Sequence, residues 1–126
     1  MSQINELPLY IAAYKLQKYL YLVTKHFPKE YKYTLGTSII ERSWETLDSI
    51  TQANILPNME KTPVILKASV AFDQLKFRLR MAHELKLIPH KKYAFIILQN
   101  EEIGKMLNGW LKWARLAESK RAEKIA

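Results

Sequence analysis

Apolar residues recur at spacings of three and four along nearly the whole chain, and alternating strand patterns are scarce. Prolines punctuate this rhythm. Pro28 follows a first periodic run, Pro57 ends a second, Pro63 opens a third, and Pro89 separates it from a fourth. The pattern predicts four helices at about 7–26, 32–55, 63–87 and 91–118. Thr62-Pro63 reads as an N-cap followed by proline at the first helical position. Short loops make neighbours antiparallel, so the expected fold is an all-α, up-down-up-down four-helix bundle. Residues 1–126 read as one domain, with about 119–126 a frayed basic tail.

A step of about 100° per residue assigns the faces. In the first helix Leu9, Ala13, Leu16, Leu20, Val23 and Phe27 form the core stripe. In the second, Gly36, Ile40, Leu47 and Ile50 do so, edged by Tyr33 and Trp44, with Glu41, Glu45 and Asp48 as an acidic ridge. The third helix has two stripes. Ile65, Ala68, Phe72, Leu75, Leu79 and Ala82 face the core, while Leu66, Val70, Phe77, Met81, Leu85 and Ile88 lie nearly opposite. A bundle buries one side of each helix, so the second stripe implies a subunit interface. The alternative is a helix central to an irregular bundle. Tyr10, Tyr14 and Tyr21, beside Lys18 and Lys25, offer a counterpart on the first helix, suited to protein contact or to base stacking.

The fourth helix contains "GKMLNGWLKWAR", two glycines among two tryptophans. Ile96, Ile103, Leu107, Trp110 and Ala114 face the core, with Phe95, Met106 and Trp113 along one edge. Gly109 leaves a notch for another helix or subunit, and Lys105, Lys112 and Arg115 point away from the core.

Composition narrows the chemistry. A hydrophobic content of 48% supports a packed core, and the formal charge of +8 favours an anionic partner. No cysteine is present, which excludes disulfides, thiolate catalysis and cysteine-held zinc. Residues 1–26 lack the pattern of a signal peptide and no long uncharged apolar run occurs, so a cytoplasmic protein with no membrane partner is expected. No glutamate has a histidine three residues later, His26, His83 and His90 form no pair at helical spacing, and no phosphate-cradling glycine loop occurs. The expectation is no enzyme, no metal and no cofactor.

The basic charge is polarised. Residues 76–92 hold six basic side chains against Glu84, and residues 105–126 hold six against Glu118 and Glu123. Lys76, Arg78, Arg80, Lys105, Lys112, Arg115, Lys120 and Arg121 are therefore the candidates for nucleic-acid or partner contact. Leu66, Val70, Phe77, Met81, Leu85, Tyr10, Tyr14, Tyr21 and Trp113 are the candidates for an oligomer interface.

The order "ELPLYIAAYKLQKYLYLVTKHFPKEYKYTLGTSIIE", "ITQAN", "LKFRLRMAHELKLI" and "EIGKMLNGWLKW" resembles the accessory variability determinant (Avd) proteins of diversity-generating retroelements over about residues 6–115. Phe27-Pro28-Lys29, Tyr33, Leu35-Gly36, Ile103-Gly104-Lys105-Met106 and Gly109-Trp110 carry the match. The resemblance implies a ring-like homopentamer that binds a reverse transcriptase and template RNA, with DNA a further ligand. It would support mutagenic cDNA synthesis (mutagenic retrohoming) without catalysing it. The related four-helix-bundle proteins encoded in ribosomal RNA intervening sequences are the alternative, with a structural or RNA-interaction role. Their second helix typically ends in an Asn-Ile-x-Glu-Gly type sequence, where this chain has Ala53-Asn54-Ile55-Leu56-Pro57.

Overall fold

The computed structural model describes residues 7–125, and every regular element among them is helical. Helix α1 spans Pro8–Thr24, with proline at its start where the missing N–H costs nothing. After Phe27-Pro28 a single turn, α2 (Lys29–Tyr31), leads through a π-helical stretch (Lys32–Gly36) into α3 (Thr37–Ile55). A 3₁₀ turn (Asn58–Glu60) precedes α4 (Lys61–Glu84), and α5 runs from His90–Ile125. Helix α3 packs on α1 and α4, and α5 packs on α4 and closes back on α1. Short connections make each sequential pair antiparallel, and the four long helices enclose a core centred on Leu20, Ile39, Phe72, Leu79, Ile96 and Ile103.

Helical boundaries differ from the sequence reading in informative ways. Helicity resumes at Lys29, directly after Pro28, rather than at 32. Helix α4 starts at Lys61, so Thr62 is not its cap. The Thr62 hydroxyl is buried without a hydrogen-bond partner, and Glu60 occupies the N-cap position without a side-chain bond. Helix α5 continues through Ile125, so the expected frayed tail is helical as far as that residue.

The core stripes of α1 and α4 are buried as expected. Gly36 at the entry to α3 and Leu47 and Ile50 within it are buried as expected, and the enclosed face extends beyond that stripe. Ile39 and Ala53 are fully enclosed, whereas Ile40 is half-buried and Trp44 and Tyr33 stand exposed. Ser43 and Thr46 share the buried face because their hydroxyls donate to the carbonyls of Ile40 and Arg42, at 2.7 and 2.8 Å. Hydroxyls satisfied by their own helix can enter a core, which an apolar-only stripe overlooks. Ile88 also departs from expectation: it belongs to the core, not to the outer stripe of α4. Helix α4 has already ended there. Lys86 adopts φ 64°, and the Leu87 N–H donates to the Ala82 carbonyl, a left-handed closure that folds Leu87 and Ile88 inward. Trp110 is half-buried, and Leu111 takes the core position beside it.

Lys61 ties α3 to α4. Its residue is 7% exposed, and its ammonium donates to the carbonyls of Ala53, Asn54 and Leu56 at 2.7, 3.1 and 2.7 Å. The last turn of a helix leaves carbonyls without partners, and its negative dipole end favours a cation. Burial lowers the lysine pKa from its ordinary value, while the three carbonyls favour the charged form.

Two substitutions test these closures. Lys61→Met leaves the carbonyls unpaired and should cost about 2 kcal/mol, read by urea denaturation. Lys86→Gly relieves the left-handed penalty at that position and should raise stability by about 1 kcal/mol in the same assay.

Candidate nucleic-acid and subunit interfaces

Antiparallel packing of α4 on α5 opens a groove of about 770 Å³ along their seam. Lys76 and Arg80, one turn apart on α4, face Lys105 across it from α5. Phe77, Tyr93 and Ile97 supply its apolar walls, and Asn100 and Gly104 also line it. The fold thus collects three of the eight basic candidates from positions far apart in sequence.

The cations at this rim are lightly committed. Lys76 pairs with Asp73 at 3.1 Å and Arg80 with Glu84 at 3.0 Å, both within α4 and both well exposed. Exposed pairs of this kind contribute little to stability, so exchanging a carboxylate for a phosphate costs little. Lys105 has no ion-pair partner among the described residues. A methyl group added at Gly104 would meet only the Phe72 ring, at 3.9 Å.

Arg78 does not join this group. It lies on the opposite edge of α4, where its Nε donates to Ser38 Oγ at 2.6 Å and a terminal nitrogen to the Gln74 carbonyl at 3.0 Å. Its guanidinium is engaged in holding α4 to α3. Lys112, Arg115, Lys120 and Arg121 are exposed along the distal half of α5, a second basic strip. Beyond Ala114 no described residue of α5 is buried. Its 36 residues outrun the 24 of α4, and from Ser119 to Ile125 every residue is exposed.

The outer stripe of α4 is present and uncovered. Leu66, Val70, Phe77, Met81 and Leu85 are all exposed, with Phe77 at 71%. The aromatic residues of α1 divide. Tyr14 is exposed and stacks on the half-buried Tyr10, with ring centres 5.8 Å apart and Lys18 over the Tyr14 face. The Tyr21 hydroxyl accepts a hydrogen bond from Trp44 Nε1 at 2.8 Å, which fastens this edge of α1 to α3. Trp113 is exposed on α5. Among the described residues nothing approaches Gly109 to within 4 Å of where a side chain would start, so no helix of the bundle fills the expected notch.

The sequence reading missed Tyr93 and Asn100. A signal existed for Asn100: Ile96, Asn100, Ile103 and Leu107 follow one another at core spacing, so the asparagine occupies a core position. Tyr93 stacks on His83, with ring centres 4.1 Å apart and planes at 8°, a pairing across the α4–α5 seam that periodicity does not reveal.

Among the described residues no cluster of three or more His, Asp or Glu side chains could hold a metal, and no helix is long and apolar enough to cross a membrane. The family model described as bAvd-like matches residues 9–114. No curated protein matches the chain.

Proposed function

The chain belongs to the bAvd-like family, and from that membership we propose that it is a non-catalytic accessory of a diversity-generating retroelement. In this reading it binds the element's reverse transcriptase and template RNA through basic surfaces and supports mutagenic cDNA synthesis. The family match across residues 9–114 is the observation that carries the reading. The gathering of Lys76, Arg80 and Lys105 on one groove, and the basic strip of α5, are consistent with it. Cations of exposed side chains serve phosphate contacts that fix position without reading sequence.

The assembly we propose is a ring-like homo-oligomer, a pentamer by the family resemblance. Leu66, Val70, Phe77, Met81 and Leu85 supply the apolar surface a subunit contact needs, and such a stripe is unfavourable in water. A closed ring repeats each basic surface around its axis, which raises the local density of cations toward a long polyanion.

Three results test this reading. Co-expression with the reverse transcriptase encoded beside the gene should yield a complex that survives purification. Absence of such a complex favours the ribosomal intervening-sequence alternative. RNA affinity should fall steeply with salt, and the triple change Lys76→Glu, Arg80→Glu, Lys105→Glu should reduce the slope of log K against log salt by about 2 for single strands. An unchanged slope removes these residues from the interface. The double change Phe77→Ser, Met81→Ser removes only exposed apolar surface, so the helical content should persist. Light scattering coupled to size exclusion should then report smaller species than the parent protein.

A further inference from the structure

Asn100 is 5% exposed at a core position of α5, and its Oδ1 has no hydrogen-bond partner. An unmade hydrogen bond is costly, and leucine would continue the stripe set by Ile96, Ile103 and Leu107 without that cost. Asn100 is among the residues lining the α4–α5 groove, and its enclosed Oδ1 gains a partner from a molecule there only when the carboxamide turns toward it. Amide orientation within the site is free to match a donor or an acceptor, since oxygen and nitrogen exchange by a flip.

The rest of the groove narrows what that molecule is. Its rim offers the cations of Lys76, Arg80 and Lys105. Its walls offer Tyr93, held against His83, and Ile97, while Phe77, which also lines it, belongs to the stripe assigned to the subunit contact. An apolar segment of a partner protein would leave the amide unpaired and bury the three cations, both unfavourable. A nucleotide suits the cations, the aromatic wall and the amide together, while Asp73 and Glu101, which also line the groove, oppose its phosphates: phosphates take the cations, the base face takes an aromatic ring, and the base edge offers the adjacent donor and acceptor a carboxamide reads. The groove's volume lies within the range of sites for small ligands.

We propose that the α4–α5 groove holds one unstacked nucleobase of a single-stranded nucleic acid, with Asn100 bonding its edge and Lys76, Arg80 and Lys105 on the flanking phosphates. This rests on the RNA-binding reading above and adds to it a base-selective subsite. Stacking and phosphate contacts alone tolerate any sequence, whereas a carboxamide at the base edge does not.

The test uses the full chain and fluorescein-labelled homopolymers of adenylate, cytidylate and uridylate at equal length, titrated by anisotropy across a salt series. The wild-type protein should separate the best from the poorest homopolymer by about ten-fold or more. Asn100→Leu should bring all three to the level of the poorest, with the salt slope unchanged and the melting temperature equal or higher. Gly104→Met provides a second route. Its added side chain starts in ordinary contact with Phe72 and enters the groove, so it should erase the same discrimination. Equal wild-type binding to all three homopolymers overturns the base subsite and leaves RNA binding standing. So does discrimination that survives both substitutions. Failure of every homopolymer to bind overturns the subsite and the RNA-binding reading together.

Discussion

A helix in a four-helix bundle can turn only one side toward its three companions, and α4 is apolar on two. Its inner side, from Ile65 to Ala82, is enclosed and organises the core around Phe72. That burial leaves Leu66, Val70, Phe77, Met81 and Leu85 facing outward by the geometry of the helix itself. No shift of register hides both stripes, because rotating α4 to cover one exposes the other. The surface chemistry of this chain therefore follows from the way its core is satisfied. The same rotation sets Lys76 and Arg80 on the edge toward α5, where the groove forms, and Arg78 on the edge toward α3, where it is spent on Ser38.

Two buried polar side chains show how differently the interior treats its polar groups. Lys61 enters the junction between α3 and α4 and finds three carbonyls that a helix end would otherwise leave open. Its desolvation is answered on the spot, so it joins two helices. Asn100 enters the core between Ile96 and Ile103, and its Oδ1 finds nothing. A buried polar group with partners reads as architecture. One without partners, on a residue that also lines a groove rimmed by cations, is the basis of the proposed interaction.

Most of the fold was legible because the helices of this chain are long and strongly periodic. The inner faces of α1 and α4 followed from spacing alone, residue by residue. What escaped the sequence has physical causes. The inward face of α3 holds Leu47 and Ile50, with Gly36 at its entry, as expected, but it is wider than the apolar stripe, because Ser43 and Thr46 satisfy their hydroxyls on their own helix and pack inward. Ile88 was assigned to the outer stripe because periodicity assumes a continuing helix, and Lys86 in a left-handed conformation ends it first. The threonine-proline pair points to a capped start of α4, whereas the junction is held by a lysine reaching backward, which no local motif announces. The basic candidates were selected by charge along the chain, and only the packing of α4 on α5 could separate those on the groove from Arg78.

The rim of the groove then raises a question of energetics that charge counting misses. Lys76 and Arg80 each rest beside a carboxylate of their own helix, and Asp73 and Glu101 also line the groove, so its net positive charge is small. Exposed pairs at three- and four-residue spacing are worth only a few tenths of a kcal/mol, about 0.3–0.5 each. They therefore fix where the cationic groups wait without holding them against a phosphate. The carboxylates beside Lys76 and Arg80 lower the groove's pull on a polyanion, whereas Lys105 has no ion-pair partner among the described residues. Under the proposed reading, binding at this groove is favoured when several contacts form together: cation to phosphate, ring to base face, amide to base edge. A bare lysine patch would attract any polyanion. The base subsite proposed for this groove would draw its selectivity from the amide and the ring, whose placement follows from how α4 is turned against α5.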